Sequence, residues 1–293
     1  MELGVTAVML PELDFDEQID LCASLGIKYY QYRPRVIPDH ARDKPYHSHG
    51  NHKFDLTPER LLDEGRDLTA RLRARGLEPW GTVPGLNTDS SDEQVRHAVE
   101  AAVAADAKCV RCNPAPYPRE PFDYPAFLDR VVQRYAYLTE RISWPMGIKL
   151  IIETHANSLA TSPALAWQIV KDFSPQRLGV IFDLPNFNRE GGVNPILGVS
   201  VLRDYIDCVH FGASRRIEAE QRDEHGCRLV DTPFCPPEDS DLHLPTWLKA
   251  LADAGVDAPI IIEDYDAELD GPARLARNAR FVQNLGFADA PVQ

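Results

Sequence analysis

Four segments of the chain end an apolar run with an ionisable residue: KLIIETH, GVIFDLPN, DCVHFG and PIIIEDY. Glu153 follows Leu150, Ile151 and Ile152, and Asp183 follows Val180, Ile181 and Phe182. His210 follows Val209, and Glu263 follows three isoleucines. An ionised carboxylate after such a run is costly unless something neutralises it. Taken singly, each is explained by a salt bridge or hydrogen bond near a sheet end. Three carboxylates and an imidazole converging on one cavity call instead for a divalent cation. These are mostly hard oxygen donors, which suit manganese, magnesium or cobalt better than a thiolate-rich zinc site does, although zinc also accepts such ligands. In an octahedral site two positions would remain for neighbouring carbonyl and hydroxyl oxygens of a substrate.

For the four residues to meet, their strands must lie in one sheet. Eight short β-branched or aromatic runs stand out, at 3–9, 29–33, 78–83, 109–113, 149–154, 179–183, 208–211 and 260–263. Amphipathic stripes separate them, such as Leu61, Leu68 and Leu72, or Phe127, Val131, Tyr135 and Leu138. In ASLGIKYY, RARGLEPW and ADAGVDAPIII a helix ends on a small residue and a glycine that can take the left-handed C′ conformation. Strand–helix alternation with no composition break predicts a parallel sheet, and eight units predict a single (β/α)8 TIM barrel domain over 1–293. An open doubly wound sheet would carry a glycine-rich loop after its first strand, and TAVMLPEL has none. The 34–57 and 212–242 connections are unusually long and both follow strands, so both are expected on the C-terminal rim where barrel enzymes keep their chemistry.

Composition narrows the partners. The 45 acidic against 31 basic side chains give a net charge of -14, which repels nucleic acid and anionic membrane surfaces. The six cysteines are too sparse for a disulfide scaffold. Cys109 and Cys112 form a C-x-x-C, but on a strand this spacing sends the side chains to opposite faces, against a redox or zinc role. With no secretory signal in MELGVTAVM and no apolar run long enough to span a bilayer, a cytoplasmic protein is expected.

The ordered series E-T-H, F-D-L-P-N, V-H-F-G and I-I-E-D-Y resembles the metal quartet of the xylose-isomerase-like barrels, a group of sugar isomerases, ketose epimerases and related lyases. The resemblance runs from LGVT to the last helix, DGPARLARNARFVQNLG. It implies one divalent metal, manganese before magnesium, cobalt or zinc, bound by Glu153, Asp183, His210 and Glu263. It also implies that Glu153 and Glu263 exchange protons with substrate carbon, while Asp183 and His210 chiefly hold the metal. The expected function is a sugar isomerase or epimerase that passes a small polyhydroxy carbonyl substrate through a metal-bound enediolate. The same intermediate serves a lyase, which would lose a β-hydroxyl or other group from a keto-sugar or cyclic polyol. Homo-oligomers are common in such barrels. Two departures touch the substrate: Asn186 stands where many members carry histidine, and Phe211, Gly212 and Ala213 replace a lysine or aspartate segment. The resemblance extends to apurinic-site endonucleases, but the acidic charge opposes a DNA-binding face. A non-catalytic relative would be expected to lack one of the ligands, and all four are present.

Around the quartet, His155 lies two residues beyond Glu153, on the same strand face, and is a candidate to bind a substrate hydroxyl or to sit behind the ligands. Asn186 and Arg111 are further candidates for substrate oxygens, Arg111 equally for a structural ion pair. His47, His49 and His52 crowd one long loop, where histidines are more often solvated or substrate-facing than ligands. Trp80 and Tyr117 could stack on a sugar ring or lie buried in the barrel wall.

Overall fold

Eight parallel strands close on themselves in the computed structural model, which describes residues 1–290. They are β1 (Leu3–Thr6), β2 (Tyr29–Tyr32), β3 (Glu78–Asn87), β4 (Cys109–Asn113), β5 (Lys149–Glu153), β6 (Leu178–Asp183), β7 (Ile206–Phe211) and β10 (Ile260–Ile262). Each pairs with its neighbour in sequence, and β10 closes the ring against β1. Around them run α1 (Phe15–Ser24), α2 (Asp39–Arg42), α3 (Pro58–Arg73), α4 (Asp92–Ala104), α5 (Tyr124–Leu138), α6 (Pro163–Val170), α7 (Leu184–Arg189), α8 (Pro195–Leu202), α9 (Leu244–Asp253) and α10 (Gly271–Asn284). The architecture is that of a (β/α)8 barrel. No helix among the described residues is long and apolar enough to cross a membrane.

The sequence dictates much of this locally. Asp14, Thr57, Ser91, Asp123, Ser162, Asn194 and Asp270 each accept a backbone N–H in the first turn of the helix that follows, which sets where those helices start. Gly26, Gly76 and Gly255 take the left-handed conformation, with φ of 72°, 77° and 69°, and turn the chain out of α1, α3 and α9. Inside the barrel Val83, Cys109, Ile151, Ile181, Cys208 and Ile261 pack together with Tyr29 and Trp80. Cys112 instead joins the larger core between strands and helices, so the C-x-x-C side chains do part to opposite faces.

Several expected boundaries move. The first run stops being a strand at Thr6 and turns into a short 3₁₀ segment, Ala7–Met9, while the third continues to Asn87. The long connection after β7 is not structureless: it carries a hairpin of β8 (Ile217–Arg222) and β9 (Arg228–Asp231), paired antiparallel. None of its strand residues is buried, so it has no apolar alternation for a pattern search to find.

Candidate metal centre

The four ionisable residues at the strand ends do converge. Glu153 and Asp183 are the last residues of β5 and β6, His210 lies in β7, and Glu263 follows β10 directly. Parallel register places Asp183 opposite His210, and the Glu263 N–H donates to the Phe211 carbonyl at 2.8 Å. One ligand atom from each of the four lies within 4.8 Å of the others. The imidazole is central: its Nδ1 stands 2.6 Å from Glu263 Oε2, 3.2 Å from Glu153 Oε1 and 3.7 Å from Asp183 Oδ2. Nε2 lies 3.1 Å from the Gln31 side-chain oxygen, so Gln31 on β2 sets the ring orientation from across the barrel.

This donor set fits a divalent ion. His210 Nδ1 is buried and makes no well-directed hydrogen bond, although three carboxylates surround it. Without a cation, a proton on the imidazole must serve. Burial alone would lower its proton affinity, but Glu263, Asp183 and Glu153 raise it well above the ordinary histidine value. The carboxylates diverge for the same reason. Burial opposes ionisation of Glu153, yet Arg111 and His210 hold its carboxyl well below the usual range. Glu263 meets the same burial and is held at about 2 by His210, with help from Tyr265. Asp183 is pushed up to about 6, chiefly by burial.

A second set of side chains fixes the ligands. Arg111 Nη1 donates to Glu153 Oε2 at 2.5 Å, and although burial opposes its charge, Glu153 and Glu263 raise its proton affinity above the ordinary guanidinium value. Asn113 accepts from the Glu153 backbone N–H at 2.9 Å. Tyr265 donates to Glu263 Oε1 at 2.6 Å. Asp183 Oδ1 accepts the Asn186 N–H at 2.9 Å and so caps α7, which leaves Oδ2 to face the imidazole. Gly212 is needed for close approach: a Cβ there would meet the Glu263 carbonyl oxygen at 2.3 Å and the Pro185 ring at 3.2 Å. We expect Gly212→Ala to destabilise the protein by about 1–3 kcal/mol in denaturant unfolding, because a backbone carbonyl must move to admit the methyl group.

Above the quartet opens a cavity of about 190 Å³. Arg111, His155 and Asn186, the candidates for substrate oxygens, all line it. Their settings differ from expectation. His155 is no longer on a strand, because β5 ends at Glu153; its Nδ1 lies 2.5 Å from the Ala156 carbonyl. Asn186 belongs to α7, and its side-chain oxygen accepts from the Ala156 N–H at 3.4 Å. Arg111 makes the ion pair with Glu153 while facing the cavity. Of the crowded histidines only His49 reaches this cavity, with its ring 4.7 Å from Tyr265. His52 hydrogen-bonds the Ser48 carbonyl, and burial lowers it to about 4. Trp80 packs within the barrel against Tyr29, and Tyr117 is an exposed residue stacked on Phe122, so neither lines the cavity.

The sequence reading missed Gln31, Arg33, Asn113, Arg189, Phe234 and Tyr265. Gln31 and Tyr265 carried a signal: one is a polar residue inside the strand YYQY, the other stands two residues beyond Glu263. Arg189 ends the short α7 and Phe234 lies in the long connection after β7, and neither carried one.

The family model for xylose isomerase-like TIM barrels matches residues 19–285. No curated protein matches the chain significantly. Solved structures share the fold at low identity. The IolI protein with a zinc atom has a TM-score of 0.70 and 16% identity, covering 97% of this chain and 98% of that one. The 3-keto-D-glucoside 4-epimerase from E. coli has a TM-score of 0.68 and 14% identity, covering 97% and 99%. A xylose isomerase-like TIM barrel protein from Mycobacterium smegmatis in complex with magnesium has a TM-score of 0.66 and 14% identity, covering 97% and 96%. With nearly its whole length matched by that family model, a closed barrel and the quartet at the strand ends, the chain belongs to the xylose isomerase-like TIM barrel family.

Proposed function

We propose that the protein is a divalent-metal-dependent sugar isomerase or epimerase in which Glu153 and Glu263 form the acid–base pair. The observation that carries this reading is the placement of two glutamates against one central imidazole, on the floor of a cavity at the barrel mouth. Glu153, Asp183, His210 and Glu263 would hold the ion, with manganese the first choice for a site of hard oxygens and one imidazole. The zinc and magnesium in the two solved relatives support a divalent ion. When bound, it supplies Lewis-acid stabilisation to negative charge developing on a substrate oxygen.

The protein's own groups handle the proton. Tyr265 keeps Glu263 ionised and oriented, and Arg111 does the same for Glu153. One glutamate takes the proton from the carbon beside the carbonyl, giving an enediolate. The other returns a proton, to the opposite face of that carbon for epimerisation or to the neighbouring carbon for isomerisation. His155, Asn186 and His49 line the wall, and in this reading they bind the substrate's hydroxyl groups.

The test is hydrogen exchange. Manganese-loaded protein incubated with a panel of ketoses in D2O is expected to place deuterium on the carbon next to the carbonyl of its substrate, seen by NMR. Turnover without any wash-in of solvent deuterium would count against proton exchange through a glutamate. A product absorbing in the ultraviolet would identify elimination instead.

A further inference from the structure

We infer that the substrate of this cavity carries an oxyanion, a carboxylate or a phosphate ester, held by Arg33 and Arg189. This rests on the isomerase reading and narrows its substrate class.

Three arginines line the cavity: Arg33, Arg111 and Arg189. Arg111 is engaged by Glu153. The other two have no carboxylate within ion-pair reach among the described residues. What distinguishes them from the chain's other unpaired arginines is their place, since both line the cavity that holds the quartet. Arg33 follows β2 at the rim and is half-buried, and its Nε is buried without a hydrogen-bond partner. Arg189 ends α7 with its guanidinium 5.7 Å from the centre of the Phe234 ring. Phe234 in turn meets Tyr265 edge-on at 5.2 Å, so one aromatic wall links this arginine to the glutamate at the floor.

The charge balance points the same way. Arg111 and a divalent ion together offset the three carboxylates of the floor, which leaves the two wall arginines without a counter-charge. His49 adds none, since burial and the nearby Arg33 lower its proton affinity. A sugar hydroxyl could accept from the Arg33 Nε–H but brings no counter-charge, whereas a carboxylate or phosphate both neutralises a guanidinium and matches its planar fork.

The experiment compares binding of D-fructose, 5-keto-D-gluconate and D-fructose 6-phosphate to manganese-loaded protein by calorimetry. It uses the wild type, Arg33→Gln and Arg189→Gln, with metal content measured on each. At least one of the two anions is expected to bind about 10- to 100-fold more tightly than D-fructose, as charge-assisted hydrogen bonds allow. Which anion does so separates carboxylate from phosphate. Both variants should lose most of that preference while keeping their manganese and their D-fructose affinity. Because Arg189 is exposed, its variant remains informative if Arg33→Gln folds poorly. Equal binding of all three sugars, or an undiminished preference in both variants, would overturn the proposal and leave the isomerase reading standing. Failure to retain manganese, or to bind any of the three, would overturn both.

Discussion

Glu153→Gln and Glu263→Gln should each lower kcat by about 10²–10⁴-fold, the range supplied by a positioned acid or base. The amide keeps the shape of the carboxylate and an oxygen that can face a metal, but it cannot take up a proton at neutral pH. The two variants should differ in what else they disturb. In Glu153→Gln the Arg111 guanidinium loses its charged partner at a site where its side chain is only 14% exposed. Leaving a buried charge so poorly matched costs roughly 1–3 kcal/mol of stability. In Glu263→Gln the amide oxygen can still accept from Tyr265, so folding should be spared. Glu263→Gln is therefore the cleaner test, scored by deuterium exchange at the substrate carbon with metal content measured on the same sample. A variant that retains its metal and exchanges within about tenfold of wild type would remove that glutamate from the acid–base pair.

How much of this site could be read from the chain depended on where each residue sits. Glu153, Asp183, His210 and Glu263 were legible because each interrupts an apolar strand at its end, where ionisation is costly without a partner. The barrel was legible for a related reason: strands buried on both faces read as short continuous apolar runs, with amphipathic stripes between them. Arg111 was visible as a candidate but not as the partner of Glu153. Their contact depends on the pairing of β4 with β5, in which Arg111 stands beside Ile151, two residues short of Glu153. His155 was placed by strand alternation, and that rule expired when β5 ended two residues earlier. Arg189 and Phe234 reach the cavity only because α7 and the long connection after β7 fold back over the mouth, and no local pattern encodes such a path. The exposed hairpin within that connection was hidden for the complementary reason, since it buries nothing and needs no periodicity.

Metal affinity is expected to climb with pH, because the ion must displace protons that the metal-free cluster needs. His210 is surrounded by Glu263, Asp183 and Glu153, which outweigh burial and raise its proton affinity, so at neutral pH the imidazole carries a proton that a metal would expel. Asp183 is lifted by burial from 3.8 to about 6, so below that point a second proton competes. As pH falls, the apparent Kd should rise about tenfold per unit near neutrality and more steeply below pH 6, roughly 10²–10³-fold from pH 7.5 down to 5.5. The metal-free stability has the opposite trend. A raised folded-state value makes each group stabilising while protonated, and that contribution is lost as pH rises, first through about 6 for Asp183 and then through the higher value of His210. The difference in Tm between loaded and stripped protein should therefore widen from pH 5.5 to 8. Calorimetry in two buffers of different ionisation enthalpy would count the released protons directly. Asp183→Asn separates the two effects, since it deletes a ligand and a buried negative charge together. Its metal affinity should fall by more than the roughly 10–100-fold typical of outer-shell partners, while its metal-free stability at pH 8 should equal or exceed wild type. An affinity independent of pH, with no proton released, would mean that the imidazole and carboxylates of the quartet do not bind the ion.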